Sequence, residues 1–486
     1  MDPTPLDELL GTLTDPGESE IELLGDARGV VVGPDVTSDT RQVSPGAVFV
    51  AIKGERVDGH DFASQAAQAG AAAIIATRPT DADLPHLIVD DPLVGLSRLA
   101  RSVVRTARDG QLTVLAITGS SGKTSTKDLL AAICEAAGPT VAPPGSFNNE
   151  LGAPLTACRV DAATQFLVSE MGSRGPGHLR WLTSIIAPDV SCVLNIGTAH
   201  LGEFGSIEAT QRAKAELVQA LDADGWAVLN ADDPRVAAMA DDTRGHVAWF
   251  SASGADVDGA ELMVRALDPV PDEFSRFAFT LHVRQGSTTT HHPVQLRVVG
   301  VHQVANAVAA AASAIAAGVD ASVAAEALSR AEARSAWRME LSERADGVVV
   351  INDAYNANPD SMSAALGTLG ELVEARRQRS PEARGIAILG DMLELGDRAD
   401  DLHYRVGADA ARVADEVIAV GDWAPQLVAG ATGSGVHARV ATTDDALTGL
   451  VLAPADVVLV KASRGVGLEV LAERLLRDDE REDERW

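Results

Sequence analysis

Lys123 and Thr124 close a run of small residues, Gly119, Ser120, Ser121 and Gly122, and Ser125 follows them. A glycine-rich turn that opens a helix aims backbone N–H groups at an anion. The lysine then neutralises outer phosphates and the threonine hydroxyl can hold Mg²⁺. The spacing departs from the general phosphate loop, because the position five residues before the Gly-Lys pair is Ile117 rather than glycine. Other polar groups end apolar runs. Glu170 follows FLVS, Asn195 and His200 follow VSCVL, Asp353, Tyr355 and Asn358 follow GVVVIN, and Lys461 and Arg464 end DVVLVKASR. Parallel strands gather ligands at their carboxyl ends, and a carboxylate there suits Mg²⁺, which takes oxygen ligands. For Glu170 a capping or salt-bridged role is the alternative.

Three further sets leave their roles open at this level. In SIEATQRAKAELVQALD, Lys214 falls on the same helical stripe as Ile207, Thr210, Leu217, Val218 and Leu221. An inward lysine is a cation for phosphates, or, with a lowered pKa, an amine that takes up CO₂ and becomes an anionic carbamate; a snorkelling stem is the plain alternative. Arg212 on that helix is spaced to pair with Glu208 and Glu216. His302 and Asn306 share one face near the start of an alanine-rich helix, where they either cap it or meet a nucleotide base. Ser38, Asp39, Thr40 and Arg41, with Lys53 and Asp58-Gly59-His60, have the composition of turns. His291 and His292 are adjacent on a strand, so they face opposite ways and do not share an ion.

The elements that must position these groups are α/β layers. The 486 residues exceed one core and are 46% hydrophobic but only 3% aromatic, which is Ala/Val/Leu/Ile core material. The pattern predicts three units: a small α/β unit over 1–107, a central unit of long buried strands over 108–331, and a third strand series over 332–486. A net charge of −30 excludes a general nucleic-acid surface. The three widely spaced cysteines, the acidic start MDPTPLDELL and the lack of a long uncharged apolar run outside the alanine-rich helix predict a soluble cytoplasmic protein with no membrane span.

The segments TGSSGKTST, FNNELGAPLT, SEMG, NIGTAHLGEFGS, AKAEL, DAYNANPDSM and LGDMLELGD resemble the muramyl (Mur) ligase family, and the motifs spread from residue 38 to residue 464. The similarity is greatest to the branch that adds D-alanyl-D-alanine to UDP-N-acetylmuramoyl-tripeptide; the DNPR motif of the sister ligase that adds a diamino acid is absent. The shortened phosphate loop is a trait of this family. The resemblance implies an N-terminal UDP-binding domain, a central ATPase-like domain with a mostly parallel sheet and a C-terminal Rossmann-like domain. It also implies amide formation through an acyl phosphate, with ATP, two Mg²⁺ ions and a carbamate on Lys214, in a monomer.

By the same resemblance, Ser38 to Arg41 and Lys53 serve the uridine diphosphate end, and Asn148 and Asn149 face the substrate. Lys123 and Thr124 serve ATP phosphates and the first metal with Glu170, while His200 and carbamylated Lys214 complete the second. His302, Asn306, Arg338 and Asp353 hold the nucleotide, and Tyr355, Asn358, Lys461 and Arg464 the dipeptide or ribose. Trp337 stands before Arg338 where related chains often have glycine, which leaves that turn undefined.

Overall fold

The computed structural model describes all residues except 55, 198–204 and 478–486. It is an α/β protein built on three principal sheets. The first runs in the order Glu22–Leu24, His86–Ile88, Ala73–Ala76, Val48–Val50, Val36–Thr37, parallel except for its first pair. A 17-residue helix, Pro92–Arg108, follows, capped by Asp91, which accepts from Leu93 N–H. Its Leu96, Leu99 and Val104 belong to one apolar core that also holds Ile75 and Leu87 of the first sheet and Ala157 and Leu179 beyond it. Burial is therefore continuous from the first unit into the second.

The central sheet has nine strands. The strand Thr113–Thr118 lies between Phe166–Glu170 and Val190–Val193, parallel to both. The helix Lys123–Ala137 leads from it to the edge strand Thr140–Val141, so chain order reverses at Thr113–Thr118 and opens a crevice at its carboxyl end. Leu129, Leu130, Ile133 and Cys134 of that helix are buried, at the helical spacing legible in the sequence. They share a core with the small residues of helix His302–Ala316, whose alanines let two helices approach closely. Beyond His246–Ser251 the sheet continues as the antiparallel ribbon Leu262–Pro271, Arg276–Gln285 and Thr288–Val299. There His291 faces His282 across the ladder, while His292 Nε2 lies 3.0 Å from Thr290 Oγ1.

The third sheet runs Glu340–Glu343, Val349–Asp353, Val457–Lys461, Gly385–Gly390, Glu416–Val420, His437–Ala441, and only its first pair is antiparallel. In that ladder Asp353 and Lys461 are direct partners at adjacent carboxyl ends. Among the described residues no helix is long and apolar enough to cross a membrane.

Candidate active site

A cavity of about 620 Å³ separates the carboxyl edge of the central sheet from that of the third. On the central side the phosphate loop is built from below. Asn195, just past Val190–Val193, accepts through Oδ1 from Ser120 N and Ser121 N, both at 2.9 Å. Gly122 has φ +78°, and an added Cβ would lie 2.5 Å from Asn306 Oδ1, so this position requires glycine on two counts. Asn306 is itself fixed: Thr126 Oγ1 donates to its Oδ1 (3.2 Å) and its Nδ2 donates to Gln303 Oε1 (2.9 Å).

Two lysines converge on one backbone oxygen. Lys123 Nζ donates to Gly119 O at 2.7 Å, and Lys214 Nζ donates to the same atom at 3.1 Å. Lys214 is 3% exposed, on the helix Ile207–Gln219 that Ser206 caps by accepting from Ala209 N–H. Burial, and then the charge of Lys123, hold its ammonium well below the usual lysine range. Burial also lowers Lys123, with Glu170 opposing and Arg338 adding to the effect. That coupling shows Arg338, from the third unit, to be electrostatically within reach of the phosphate loop.

Glu170 is 1% exposed at the end of its strand. Its Oε1 accepts from Asn148 Nδ2 (2.7 Å), while Oε2 is buried with no hydrogen-bond partner. A buried carboxylate oxygen without a donor, in a cavity that Thr124 also lines, belongs to an oxygen set that fits a divalent cation. Asn149 lines the wall and caps the next helix, its Oδ1 accepting from Gly152 N (2.9 Å).

Across the cavity, Lys461 Nζ donates to Asp353 Oδ2 (2.5 Å) and to Asn356 O (2.9 Å). Asp353 Oδ1 accepts from Met339 N (3.1 Å), which ties the turn before Glu340–Glu343 to the sheet. That turn is now defined: Trp337 and Met339 both have positive φ, and Tyr355 N donates to Trp337 O (3.1 Å). The Arg338 guanidinium lies 4.1 Å from the Tyr355 ring centroid, and the Tyr355 hydroxyl is hydrogen-bonded to Ser146 of the central unit. Asn358 caps the helix Pro359–Arg377 in a capping box with Ser361. His302 lines the cavity too; burial, aided by Lys461 and opposed by Asp353, pulls its imidazole down to about 4.

The cavity thus brings together Ser120 to Ser125, Asn148, Asn149, Glu170 and Lys214 from the centre with Arg338, Asp353, Tyr355, Asn358, Lys461 and Arg464 opposite, and His302 and Asn306 between. Gly119 contributes its carbonyl. His200 lies outside the described residues. Ser38 to Arg41 and Lys53 do not line this cavity. Asp39 caps the turn Thr40–Gln42 and is bound by Arg41, which holds its carboxyl at about 2. Glu216, spaced to pair with Arg212, is instead 5% exposed and caps the helix His178–Ile185, accepting from Gly177 N (2.6 Å) and Arg180 N (3.1 Å). That pairing crosses helices, so helical spacing carries no signal of it.

The cavity also takes in Arg174, His178, Ser146, Asp360, Leu393 and Ser463, which were not picked out as site residues. Arg174 and His178 follow Glu170 in a glycine-rich stretch after a buried strand, and that position at a strand's carboxyl end is the signal that could have found them.

Comparison with known proteins follows the same division. The Mur ligase family catalytic domain matches residues 35–105, the Mur ligase middle domain 117–314, and the Mur ligase glutamate ligase domain 337–464. The UDP-N-acetylmuramoyl-tripeptide–D-alanyl-D-alanine ligase of Mycobacterium tuberculosis (strain ATCC 25618 / H37Rv) is 42% identical over 91% of this chain and 92% of its own. The Escherichia coli (strain K12) protein of that name is 35% identical over 93% and 96%. Among solved structures, MurF from Acinetobacter baumannii superposes with a TM-score of 0.80 at 29% identity, covering 98% of this chain and 99% of its own. The MurF ligase of Thermotoga maritima in complex with ADP gives 0.73 at 27% identity, over 92% and 98%.

Proposed function

Because the chain belongs to the Mur ligase family, we propose that it joins D-alanyl-D-alanine to UDP-N-acetylmuramoyl-tripeptide in an ATP-dependent ligation. The observation that carries this reading is the cavity between two sheet edges, one bearing a phosphate loop and the other a second set of polar groups. Such a cleft brings two bound species together.

A carboxylate is inert to an amine until activated. A substrate carboxylate oxygen attacks the terminal phosphorus of ATP, the bond to the ADP oxygen breaks, and an acyl phosphate forms. The dipeptide amine then attacks the acyl carbon, loses a proton, and phosphate leaves as the amide forms. Positioning and charge neutralisation are the protein's share of such phosphoryl transfer. The loop N–H groups of Ser121 to Thr124 and the Lys123 ammonium hold the phosphates, and Arg338, Asp353, His302 and Asn306 hold the nucleoside. Asn148 and Asn149 orient the tripeptide end, and Arg464, Lys461, Tyr355 and Asn358 the dipeptide side.

Thr124 and Glu170 would hold one Mg²⁺ and Lys214, as its carbamate, a second; bound there, the ions neutralise phosphate and carboxylate charge. A carbamate would replace the repulsion between Lys214 and Lys123 by attraction. Ser38 to Arg41 and Lys53 bind the uridine diphosphate end, and the sugar and peptide of the substrate run from that unit to the cavity. The division at 1–107, 108–331 and 332–486 gives one unit to each ligand, so a single chain suffices, acting in the cytoplasm where ATP is available.

A substrate panel tests this. Phosphate release from ATP is expected only with UDP-N-acetylmuramoyl-tripeptide and D-alanyl-D-alanine both present. Equal release with a lone diamino acid or glutamate as acceptor overturns the assignment.

A further inference from the structure

Trp337 adopts φ +59°, a backbone region that strains a bulky side chain and that glycine enters freely. Its indole does not line the cavity; it lies behind Arg464, whose guanidinium carbon is 4.1 Å from the Trp337 ring centroid. The other edge of Arg464 is engaged by Glu469, its Nη1 donating to Oε1 at 2.5 Å. An exposed arginine is thereby held on two sides, by a ring face and a carboxylate, and turned to the cavity. The chain has only 6 Trp and 2 Tyr, and the same corner uses one of each, since Arg338 lies on Tyr355 in the same manner. The Trp337 carbonyl receives Tyr355 N–H and its N–H donates to Glu340 Oε2 (3.3 Å), so the strained backbone is fixed from both sides.

Beside Arg464 the cavity wall carries Leu393 and Gly465, together with Glu394 and Ser463. Leu393 lies over Gly465, where an added Cβ would meet Leu393 Cδ1 at 3.1 Å, and Leu393 N donates to Ser463 Oγ (3.0 Å). A fixed guanidinium next to the Leu393 and Gly465 surface matches a carboxylate that carries a methyl group at its α-carbon.

We propose that Trp337 is a positioning residue: its ring orients Arg464 to bind the terminal carboxylate of the acceptor dipeptide. This deepens, and rests on, the ligase reading above. Stacking on an indole face is favourable for a guanidinium and removes the side-chain freedom that a carboxylate would otherwise have to freeze out on binding.

The test is steady-state kinetics of the full chain with ATP, UDP-N-acetylmuramoyl-tripeptide and D-alanyl-D-alanine. Trp337→Gly removes the ring and the strain together, so the variant folds with a Tm near the parent's. Its KM for D-alanyl-D-alanine is expected to rise about 5- to 10-fold, with KM for ATP and for the tripeptide substrate unchanged within twofold. Trp337→Phe keeps most of the wild-type KM. Because the ring acts through the arginine, Arg464→Ala and the Trp337→Gly/Arg464→Ala double variant share one KM. An unchanged dipeptide KM in Trp337→Gly, or equal rises for all three substrates, overturns the inference alone. A wild-type chain whose ATP turnover ignores D-alanyl-D-alanine overturns the ligase reading and the inference with it.

Discussion

Gly122→Ala tests whether the phosphate loop is set by the packing seen beneath it. The alanine would have to adopt φ +78°, a left-handed conformation that costs a residue with a Cβ about 1–2 kcal/mol. Its Cβ would also sit 2.5 Å from Asn306 Oδ1, too close to persist. Asn306 must move, and the buried bond it accepts from Thr126 Oγ1 is lost, at a net cost of about 1 kcal/mol. The two effects share one site and give about 2–3 kcal/mol. For a unit the size of the central one this lowers Tm by about 4–12 °C. Binding suffers as well, because the N–H groups of Gly122 and Lys123 no longer aim at one point; KM for ATP is expected to rise about tenfold or more. Differential scanning calorimetry and ADP release measured against ATP concentration read the two effects. Gly17→Ala is the control, since Gly17 also has positive φ (+92°) but nothing within 4 Å of an added Cβ. A Gly122→Ala protein with both Tm and KM at wild-type values refutes the proposed role of Asn306 as a brace.

Lys214→Ala is expected to lose about 100-fold or more in turnover. Two ammonium groups sharing Gly119 O lie within about 6 Å, where charge is worth about 3 kcal/mol at an effective dielectric near 20. Partial recovery with added acetate or formate supports the carbamate, and full activity without the lysine removes it. His302 supplies a pH dependence. Its imidazole stays neutral down to about 4 in the folded chain, whereas the unfolded ring protonates near 6.5. Between those values the unfolded state holds more protons, so stability is complete above pH 6.5 and falls as pH drops toward 4. The loss is about 2 kcal/mol, discounted because part of the ring faces the open cavity. Urea unfolding at pH 7.0 and 4.5 should show a fall smaller by that amount in His302→Gln; an identical fall would falsify the assignment.

Local periodicity carried much of what the structure contains. The Leu129, Leu130, Ile133, Cys134 stripe and the inward turn of Lys214 follow from helical spacing alone, because both helices pack one face on a sheet. Polar residues at the ends of apolar runs marked both walls of the cavity, since parallel strands share a direction and so a ligand-facing edge. What spacing does not encode is contact between distant segments. The caps that Glu216 gives to residues 177 and 180, the bond between Ser146 and Tyr355 and the convergence of Lys123 with Lys214 on Gly119 all join segments at least 36 residues apart or meet at a single backbone atom. The continuity of the first and second cores through Pro92–Arg108 was hidden for a related reason. An amphipathic helix declares that it has a buried face but not that two units share it.

Among the described residues, the contacts between the third unit and the central one include exposed ion pairs and part-buried hydrogen bonds. Arg334 pairs with Glu135 through two bonds at 2.6 and 2.7 Å with both side chains over 40% exposed, and Arg379 pairs with Glu273 at the surface. Such pairs contribute roughly 0–1 kcal/mol each. The Ser146 to Tyr355 and Ser275 to Glu371 hydrogen bonds add about 1 kcal/mol apiece. At Gly197 the approach is close, for a Cβ there would lie 2.1 Å from Asp360 Oδ2. Each of these contacts is modest, so a ligand that touched both walls would add to the hold between them. On the ligase reading proposed above, nucleotide held by Lys123 on one side and by Arg338 and Asp353 on the other would favour the arrangement in which both walls touch it.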